Sequence, residues 1–237
     1  MQLVIFAGGF GTRISEETDY IPKPMVKIGK KPILWHIIKY YSHYGFSEFI
    51  ICGGYKINII QNYFKNFKNS GNWNIKVVNT GKKSNTGERL KRVKELISGT
   101  FCLTYGDGLS NVKIDKLIKF HKKNNSLTTL TAVKPIPHFG KIIFKGNKVI
   151  KFQEKDKAME NWINGGFFVC EKEIFKYLNK KNPIFESYTL SLLANKRKLS
   201  AYKHGDFWYC MDTLRDKRHL NNLWLSKKAP WKIWKNE

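Results

Sequence analysis

The chain begins with Gln2-Leu3-Val4-Ile5-Phe6-Ala7, a short apolar run rich in branched side chains, and then runs into "GGFGTR". An apolar run without polar alternation predicts a strand buried on both faces, as in a parallel sheet. In "KKPILWHIIKYYSHYG" the apolar positions change period, so that Ile33, Leu34, Ile37, Ile38 and Tyr41 share one helical face, with Pro32 at its start and Gly45 as a stop. The same alternation continues with strand "EFIICGG", helix "INIIQNYFKNF", strand "IKVVNTG", a helix beginning at "TGERLKRVKELI", strand "TFCLTYGDG", helix "IDKLIKFHKK" and strand "LTTLTAV". Repeated β-α-β units of this kind predict an α/β fold with a mostly parallel, doubly wound sheet.

The second half has a different rhythm. "GKIIFKGNKVIKFQEK" predicts a hairpin turning at Gly146-Asn147, and "NGGFFVC" a further strand. Helices are expected over 171–179 and 185–195, strands at "LSAYKH" and "FWYCMD", and a last helix at "TLRDKRHL", where Thr213 and Asp216 have capping-box spacing. No repeat or disordered linker separates the halves, so residues 1–237 are expected to form one domain.

Composition narrows the function class. At 42% hydrophobic over 237 residues the chain can bury a sizeable core. It shows no apolar run long enough to span a bilayer and no basic leader ahead of an apolar segment, which predicts a cytoplasmic protein without membrane contact. The net charge of +25 attracts polyanions. Its lysines, however, are spread along the whole length in nothing longer than pairs, and no nucleic-acid-binding signature accompanies them, so a solvated surface rather than a specific nucleic-acid site is expected. Cys52, Cys102, Cys170 and Cys210 lack metal-ligand spacing and read as buried reduced thiols. The six histidines show no ligand spacing, and the tail tryptophans Trp224, Trp231 and Trp234 read as packing.

The candidate chemistry sits where strands end. In "GGFGTR", glycines let the backbone approach a ligand and leave N–H groups facing an anion, while Arg13 and Lys23 add side-chain charge, which suits a polyphosphate. A glycine turn after a strand can also be only a turn. Asp107 in "YGDG" stands at a strand end where a carboxylate can hold Mg2+ together with phosphate oxygens, although Asp-Gly is equally a common turn. Asp212 in "CMDT" is the candidate second carboxylate, its alternative being the flank of the last helix. Two aspartates converging on a phosphate loop would support metal-assisted phosphoryl or nucleotidyl transfer.

The segments "FAGGFGTRISEETDYIPKPMVKIGKKPILWHIIKYYSHYG", "TGERLKRVKE", "LTYGDG", "WINGGFFV" and "FWYCMDTLRDK", with the tail "KKAPWKIW", occur in order along nearly the whole chain. Together they resemble the sugar-phosphate nucleotidyltransferases, most closely the glucose-1-phosphate cytidylyltransferases. The resemblance implies a Rossmann-like core with a mixed, mostly parallel sheet. It divides the domain into a nucleotide-binding part over 1–134 and a smaller acceptor-binding, C-terminal part over 135–237. It also implies CTP and a sugar 1-phosphate as substrates, Mg2+ as cofactor, CDP-glucose and pyrophosphate as products, and a homo-oligomer. Residue by residue it assigns Gly8, Gly9, Gly11, Thr12 and Arg13 to the nucleotide, with Arg13 and Lys23 on its phosphates. It assigns Gly81, Thr86 and Gly87 to the base and ribose, Arg89 to a further basic contact, Asp107 and Asp212 to magnesium, and Glu154, Lys155 and Asn164 to the sugar phosphate. An ionised acceptor phosphate is already a nucleophile, so charge compensation and positioning are what such a site must provide.

The departures fall mostly on the acceptor side. This chain reads "EKDK" where the family has "EKPK", "HFG" around His138 for "RFG", and "FESYT" for "WEQEP", keeping Glu186 but placing Tyr188 at the second acidic position. Glu88 stands where a glycine is usual. A segment of about a hairpin's length is also absent between "NYFKNF" and "WNIKVVNTG", which bears on subunit contacts.

Overall fold

The computed structural model describes residues 1–67, 72–135, 140–153 and 161–235. Strand β1 (Gln2–Ala7) leads through the glycine loop and the short helix α1 (Ser15–Thr18) to a ribbon of β2 (Lys27–Ile28) and β3 (Lys31–Pro32), then to α2 (Ile33–His43) and β4 (Glu48–Gly53). Next come α3 (Ile57–Lys65), β5 (Asn74–Asn79), α4 (Thr86–Arg92), β6 (Phe101–Tyr105), β7 (Gly108–Ser110), α5 (Ile114–Asn124) and β8 (Thr128–Val133). The second half carries the hairpin β9 (Lys141–Lys145) and β10 (Lys148–Gln153), the long β11 (Ile163–Cys170), α6 (Ser191–Asn195), β12 (Leu199–His204), β13 (Trp208–Cys210) and α7 (Leu214–Leu225).

Seven strands form one sheet in the order β12-β8-β11-β6-β1-β4-β5. Only β11 runs antiparallel to its neighbours β6 and β8; the pairings β1–β4, β1–β6, β4–β5 and β12–β8 are parallel. The sheet is therefore mixed and mostly parallel, as the alternation of periods predicts. β1 shows why its sequence is apolar throughout: Leu3, Ile5 and Ala7 face one core with α2, while Val4 and Phe6 face the other with Leu90, Phe168 and Phe185. Helix α2 is buried nearly all round, which its unbroken Ile33-Leu34-Trp35 start and the Tyr40-Tyr41 pair require.

Two stretches are shaped differently from the sequence reading. The helix expected over 171–179 is a 3-10 turn at Lys172–Tyr177, and the one over 185–195 begins as a wide π-helical segment, Phe185–Leu190, before tightening into α6. The tail tryptophans do pack: Trp231 is fully buried, and the Trp231 and Trp224 rings both stand edge-on to the buried His36.

The winding sets the place of the site. From β1 the chain builds outward through β4 to β5, then crosses back to lay β6 on the other side of β1. The succession of strands thus reverses between β1 and β6, and the crevice beyond their carboxyl ends is where open α/β sheets bind ligands. The loop starting at Gly8 and the turn at Gly106-Asp107 leave the sheet side by side there, tied by a Gly106 N–H bond to Phe6 O of 2.9 Å.

Candidate active site

A cleft of about 520 Å3 opens at this reversal point. Gly8, Gly9, Gly11, Thr12, Arg13, Lys23, Thr86, Arg89 and Asp107 all line it, gathered from positions up to a hundred residues apart. Gly11 has φ +70°, and a Cβ there would lie 2.8 Å from the Thr18 methyl, so the loop both needs the left-handed backbone and has no room for a side chain. Asp212 joins through its ion pairs with Arg13 and Lys23.

The cluster of charges at one end of the cleft is compact. Lys23 Nζ donates to Asp107 Oδ2 at 2.7 Å and to Asp212 Oδ1 at 2.6 Å, while Arg13 Nη1 donates to Asp212 Oδ2 at 2.6 Å. Lys23 is buried, held in the 3-10 turn Lys23–Met25 after Pro22, whereas the Arg13 side chain is 73% exposed. Burial by itself lowers the Lys23 pKa, but the charge of Asp107 and the hydrogen bonds that Lys23 donates to both carboxylates outweigh it and raise the ammonium above its ordinary range. For Asp212 burial acts upward, and Lys23 and Arg13 together bring the carboxyl below its ordinary value. Both carboxylates thus converge on one cation, the donor set that a divalent ion coordinated by phosphate oxygens requires.

The small antiparallel pairing of β7 with β13 brings the two aspartates together. It sets Cys210 opposite Gly108 and is extended by Met211 N–H donating to Asp107 O at 2.9 Å, which leaves Asp107 and Asp212 at the same end of the ribbon. Asp212 does flank the last helix, one residue ahead of its N-cap, and faces the site as well: Thr213 is the N-cap of α7, in a capping box with Asp216. Asp216 is 1% exposed, and its Oδ2 accepts from the backbone N–H groups of Asp212 at 3.0 Å and Thr213 at 2.8 Å, so it fixes the backbone that carries Asp212.

Arg89 lies at the floor of the cleft, 4% exposed and without a carboxylate partner among the described residues. Its guanidinium donates to Gly8 O at 2.8 Å, Gly53 O at 3.2 Å, Thr80 Oγ1 at 2.9 Å and Gly81 O at 2.9 Å, clamping the loops that follow β1, β4 and β5. A Cβ on Gly8 would lie 2.0 Å from Arg89 Nη1, and one on Gly54 would lie 2.5 Å from it and 2.8 Å from the Gly8 and Gly81 carbonyl oxygens, so the clamp and the carbonyls it gathers leave no room for a side chain at either position. Because C=O and N–H point oppositely across a trans peptide, drawing Gly8 O toward Arg89 turns the Gly9 N–H away from the guanidinium.

The opposite wall is a hydrogen-bonded chain. Asn164 Nδ2 donates to the Tyr105 hydroxyl at 3.3 Å, Tyr105 donates to Glu186 Oε1, and Thr86 Oγ1 donates to Glu186 Oε2 at 2.7 Å. Burial first, then the Glu186 charge, pushes the Tyr105 phenol above its ordinary range and keeps it protonated as a donor. Gly166, at φ +77°, lies against the Tyr105 ring, where a Cβ would be 2.3 Å from Cδ2; this explains the second glycine of "INGG".

Some residues expected at the site have other surroundings. Gly87 packs its α carbon against Pro183, a Cβ there falling 2.8 Å from Pro183 O. Gly81 offers its carbonyl to Arg89, and Asn164 stands behind Tyr105 rather than on the cleft surface. Glu88 pairs with Arg92 at 3.0 Å along α4 and lines a neighbouring basic cleft. Glu154, Lys155 and His138 lie outside the described residues. The sequence reading missed Tyr105 and Asp216, whose signals were only a tyrosine ahead of "GDG" and a capping spacing. It also grouped Cys210 with the buried thiols. Cys52, Cys102 and Cys170 are indeed fully buried, but Cys210 is half-buried beside Asp107 and Asp212.

A glycine loop, two convergent carboxylates and two cations at the reversal point of a mixed sheet define a nucleotidyltransferase, and the chain belongs to the nucleotidyl transferase family, whose profile matches residues 2–218. Within that family it is 44% identical to the glucose-1-phosphate cytidylyltransferase of Salmonella typhimurium, with 99% of this chain and 100% of the relative aligned. A probable glucose-1-phosphate cytidylyltransferase of Bacillus subtilis is 37% identical over 99% of this chain and all of its own length. Among solved structures, HddC from Yersinia pseudotuberculosis complexed with GMP-PN superposes with a TM-score of 0.72 at 23% identity, covering 94% of this chain and 99% of that one. UDP-glucose pyrophosphorylase complexed with UDP-glucose does so at 0.73 and 18% identity, covering 95% and 98%. These two likenesses show the shared fold. No helix among the described residues is long and apolar enough to cross a membrane.

Proposed function

We propose that this enzyme transfers the cytidylyl group of CTP to α-D-glucose 1-phosphate, giving CDP-glucose and pyrophosphate. The observation that carries the reading is the end-to-end identity with curated cytidylyltransferases, together with an intact cluster of Arg13, Lys23, Asp107 and Asp212. The Gly8 to Arg13 loop receives the triphosphate, with Gly9 N–H and the Arg13 guanidinium facing its oxygens. Thr86, Gly81 and Gly87 border the base and ribose, and Arg89 supports them from beneath. On the acceptor side Asn164 acts through Tyr105 and Glu186, and Glu154 and Lys155 hold the sugar phosphate.

Asp107 and Asp212 fit a divalent cation, since the Lys23 ammonium already sits between them as a stand-in positive charge. Mg2+ held there would neutralise charge developing on the phosphates. Lys23 and Arg13 compensate the approach of two anions and the departure of pyrophosphate, and no base is needed because the acceptor phosphate is ionised. Exposed Phe144, Val149 and Phe152 on the β9–β10 hairpin support assembly into a homo-oligomer, and we assign the enzyme to the cytoplasm.

The test is magnesium-dependent pyrophosphate release with CTP and glucose 1-phosphate, run beside UTP and other sugar 1-phosphates. Release with the first pair is expected. Turnover with UTP and none with CTP for any acceptor would remove the cytidylyl assignment.

A further inference from the structure

We propose that Lys82 is a further binding residue for the triphosphate, a role that rests on the reading of the cleft as the nucleotide site. Its ammonium lies over the rings of Phe10 and Tyr55 until a nucleotide enters, and then passes to the phosphate oxygens. Lys82 lines the cleft, and its Nζ stands 5.9 Å from the centre of the Phe10 ring and 5.7 Å from that of Tyr55. The two rings lie 5.4 Å apart, tilted by 42°.

The local fold explains how this seat is built. Phe10 stands between Gly9 and Gly11 after β1, Tyr55 follows β4 and Lys82 follows β5, so the loops of three adjacent strands meet there. Tyr55 is tied down, its N–H donating to Gly8 O at 3.2 Å and its hydroxyl to Thr18 O at 3.3 Å. Phe10 is 43% exposed although it is a large apolar side chain. A ring face attracts an ammonium, so the pair gives Lys82 a defined place with no counter-charge.

The charge balance of the cleft singles Lys82 out. Arg13 and Lys23 are both engaged by Asp107 and Asp212, two positive charges against two negative. The Arg89 guanidinium is turned to the carbonyls of the floor, and Glu186 adds a negative charge to the opposite wall. Of the cationic side chains lining the cleft, only Lys82 and Lys83 have no carboxylate or carbonyl partner for the side chain among the described residues. Lys83 also borders the neighbouring basic cleft, whereas the Lys82 ammonium lies over Phe10, within the loop assigned to the phosphates. A polyanion entering the resting cleft is therefore drawn first by charge that nothing else has neutralised. A cation on an exposed ring is held weakly and a charge-assisted bond to phosphate is stronger, so the exchange runs toward the nucleotide. It needs only rotations in a flexible four-carbon stem.

The experiment compares full-length wild type, Lys82→Gln and Lys82→Arg by calorimetry with cytidine, CMP and CTP, and by the dependence of pyrophosphate release on CTP. Lys82→Gln is expected to bind CTP roughly tenfold more weakly and cytidine within about twofold of wild type, with the kinetic loss falling on KM more than on kcat. Lys82→Arg, which keeps the charge, is expected to recover most of the CTP affinity. CTP affinity within about twofold of wild type in Lys82→Gln overturns the proposal, as does an equal loss for cytidine, which places the effect at the nucleoside or in the fold. The full loss in Lys82→Arg overturns it too, because charge is then not what acts. Wild type that binds no CTP even with Mg2+ present would instead remove the nucleotide-site reading, and the role of Lys82 with it.

Discussion

Replacing Arg89 by methionine isolates the clamp beneath the phosphate loop, because methionine keeps much of the length and apolar bulk while removing every donor. Four acceptors lose a charged partner, but they are not equally stranded. Gly8 O keeps the Tyr55 N–H at 3.2 Å, and Gly53 O keeps the Thr80 N–H at 3.0 Å and its hydroxyl at 2.6 Å. Gly81 O has no other donor among the described residues. One stranded acceptor costs about 1–3 kcal/mol, and hydrogen bonds to charged donors are worth about 1.5–3 kcal/mol each before the desolvation of the guanidinium is returned. A net loss of about 2–4 kcal/mol follows, which for a domain of this size lowers Tm by roughly 4–16 °C.

The functional consequence is more specific than the loss of stability. Without Arg89 the Gly8 carbonyl is held by the Tyr55 N–H alone, and the orientation of the Gly9 N–H is less firmly fixed. Losing one hydrogen bond to a phosphate oxygen weakens CTP binding by roughly tenfold to a hundredfold. Cytidine, which has no phosphate, should bind within about twofold of wild type. Calorimetry with both ligands on a variant that circular dichroism shows to be folded tests this directly. CTP affinity retained within about threefold, or an equal loss for cytidine, would refute the clamp as a positioning device.

Three further outcomes are expected. Lys23→Ala should cut turnover by roughly 100- to 1000-fold while the protein still folds, measured by pyrophosphate release; a near-wild-type rate would remove Lys23 from the site. Asp216→Ala strands the backbone donors of Asp212 and Thr213 and should cost roughly 2–3 kcal/mol in urea unfolding, with a parallel rise in the Mg2+ concentration needed for activity. Burial, and next in size the hydrogen bonds that oppose it, leave His36 with a pKa lowered to about 4. The unfolded chain therefore takes up this proton first, and stability is lost as pH falls from the ordinary histidine value toward 4. The loss amounts to roughly 3 kcal/mol. Urea unfolding at pH 7 and pH 5 should show a larger decrease for wild type than for His36→Gln, and equal decreases would count against this assignment.

Much of the site is legible along the chain because its parts are local. A strand running into "GGFGTR", an Asp-Gly turn after "FCLTY", and the Thr213 and Asp216 spacing are each decided within a few residues by backbone freedom, burial and capping. For the same reason most of the strand and helix order is readable: apolar period is a local property. The 3-10 turn at Lys172–Tyr177 and the π-helical start at Phe185 are exceptions, since their backbone is shaped by packing against β6 and α4 rather than by period.

What the amino-acid order determined by itself is the alternation of strands and helices, the glycine loop and the identity of the charged groups. Tertiary structure alone decided which of these meet. The resemblance marks Arg89 as a basic contact, but its place beneath the ends of β1, β4 and β5 was decided only by the tertiary structure, because its partners there are mostly backbone carbonyls that leave no mark on residue type. Asp107 and Asp212 converge through the three-residue ribbon of β7 and β13, and the same pairing carries Cys210 to their side. Such pairings depend on the register between strands a hundred residues apart, and a register shift of one residue would turn every side chain on the strand to its opposite face.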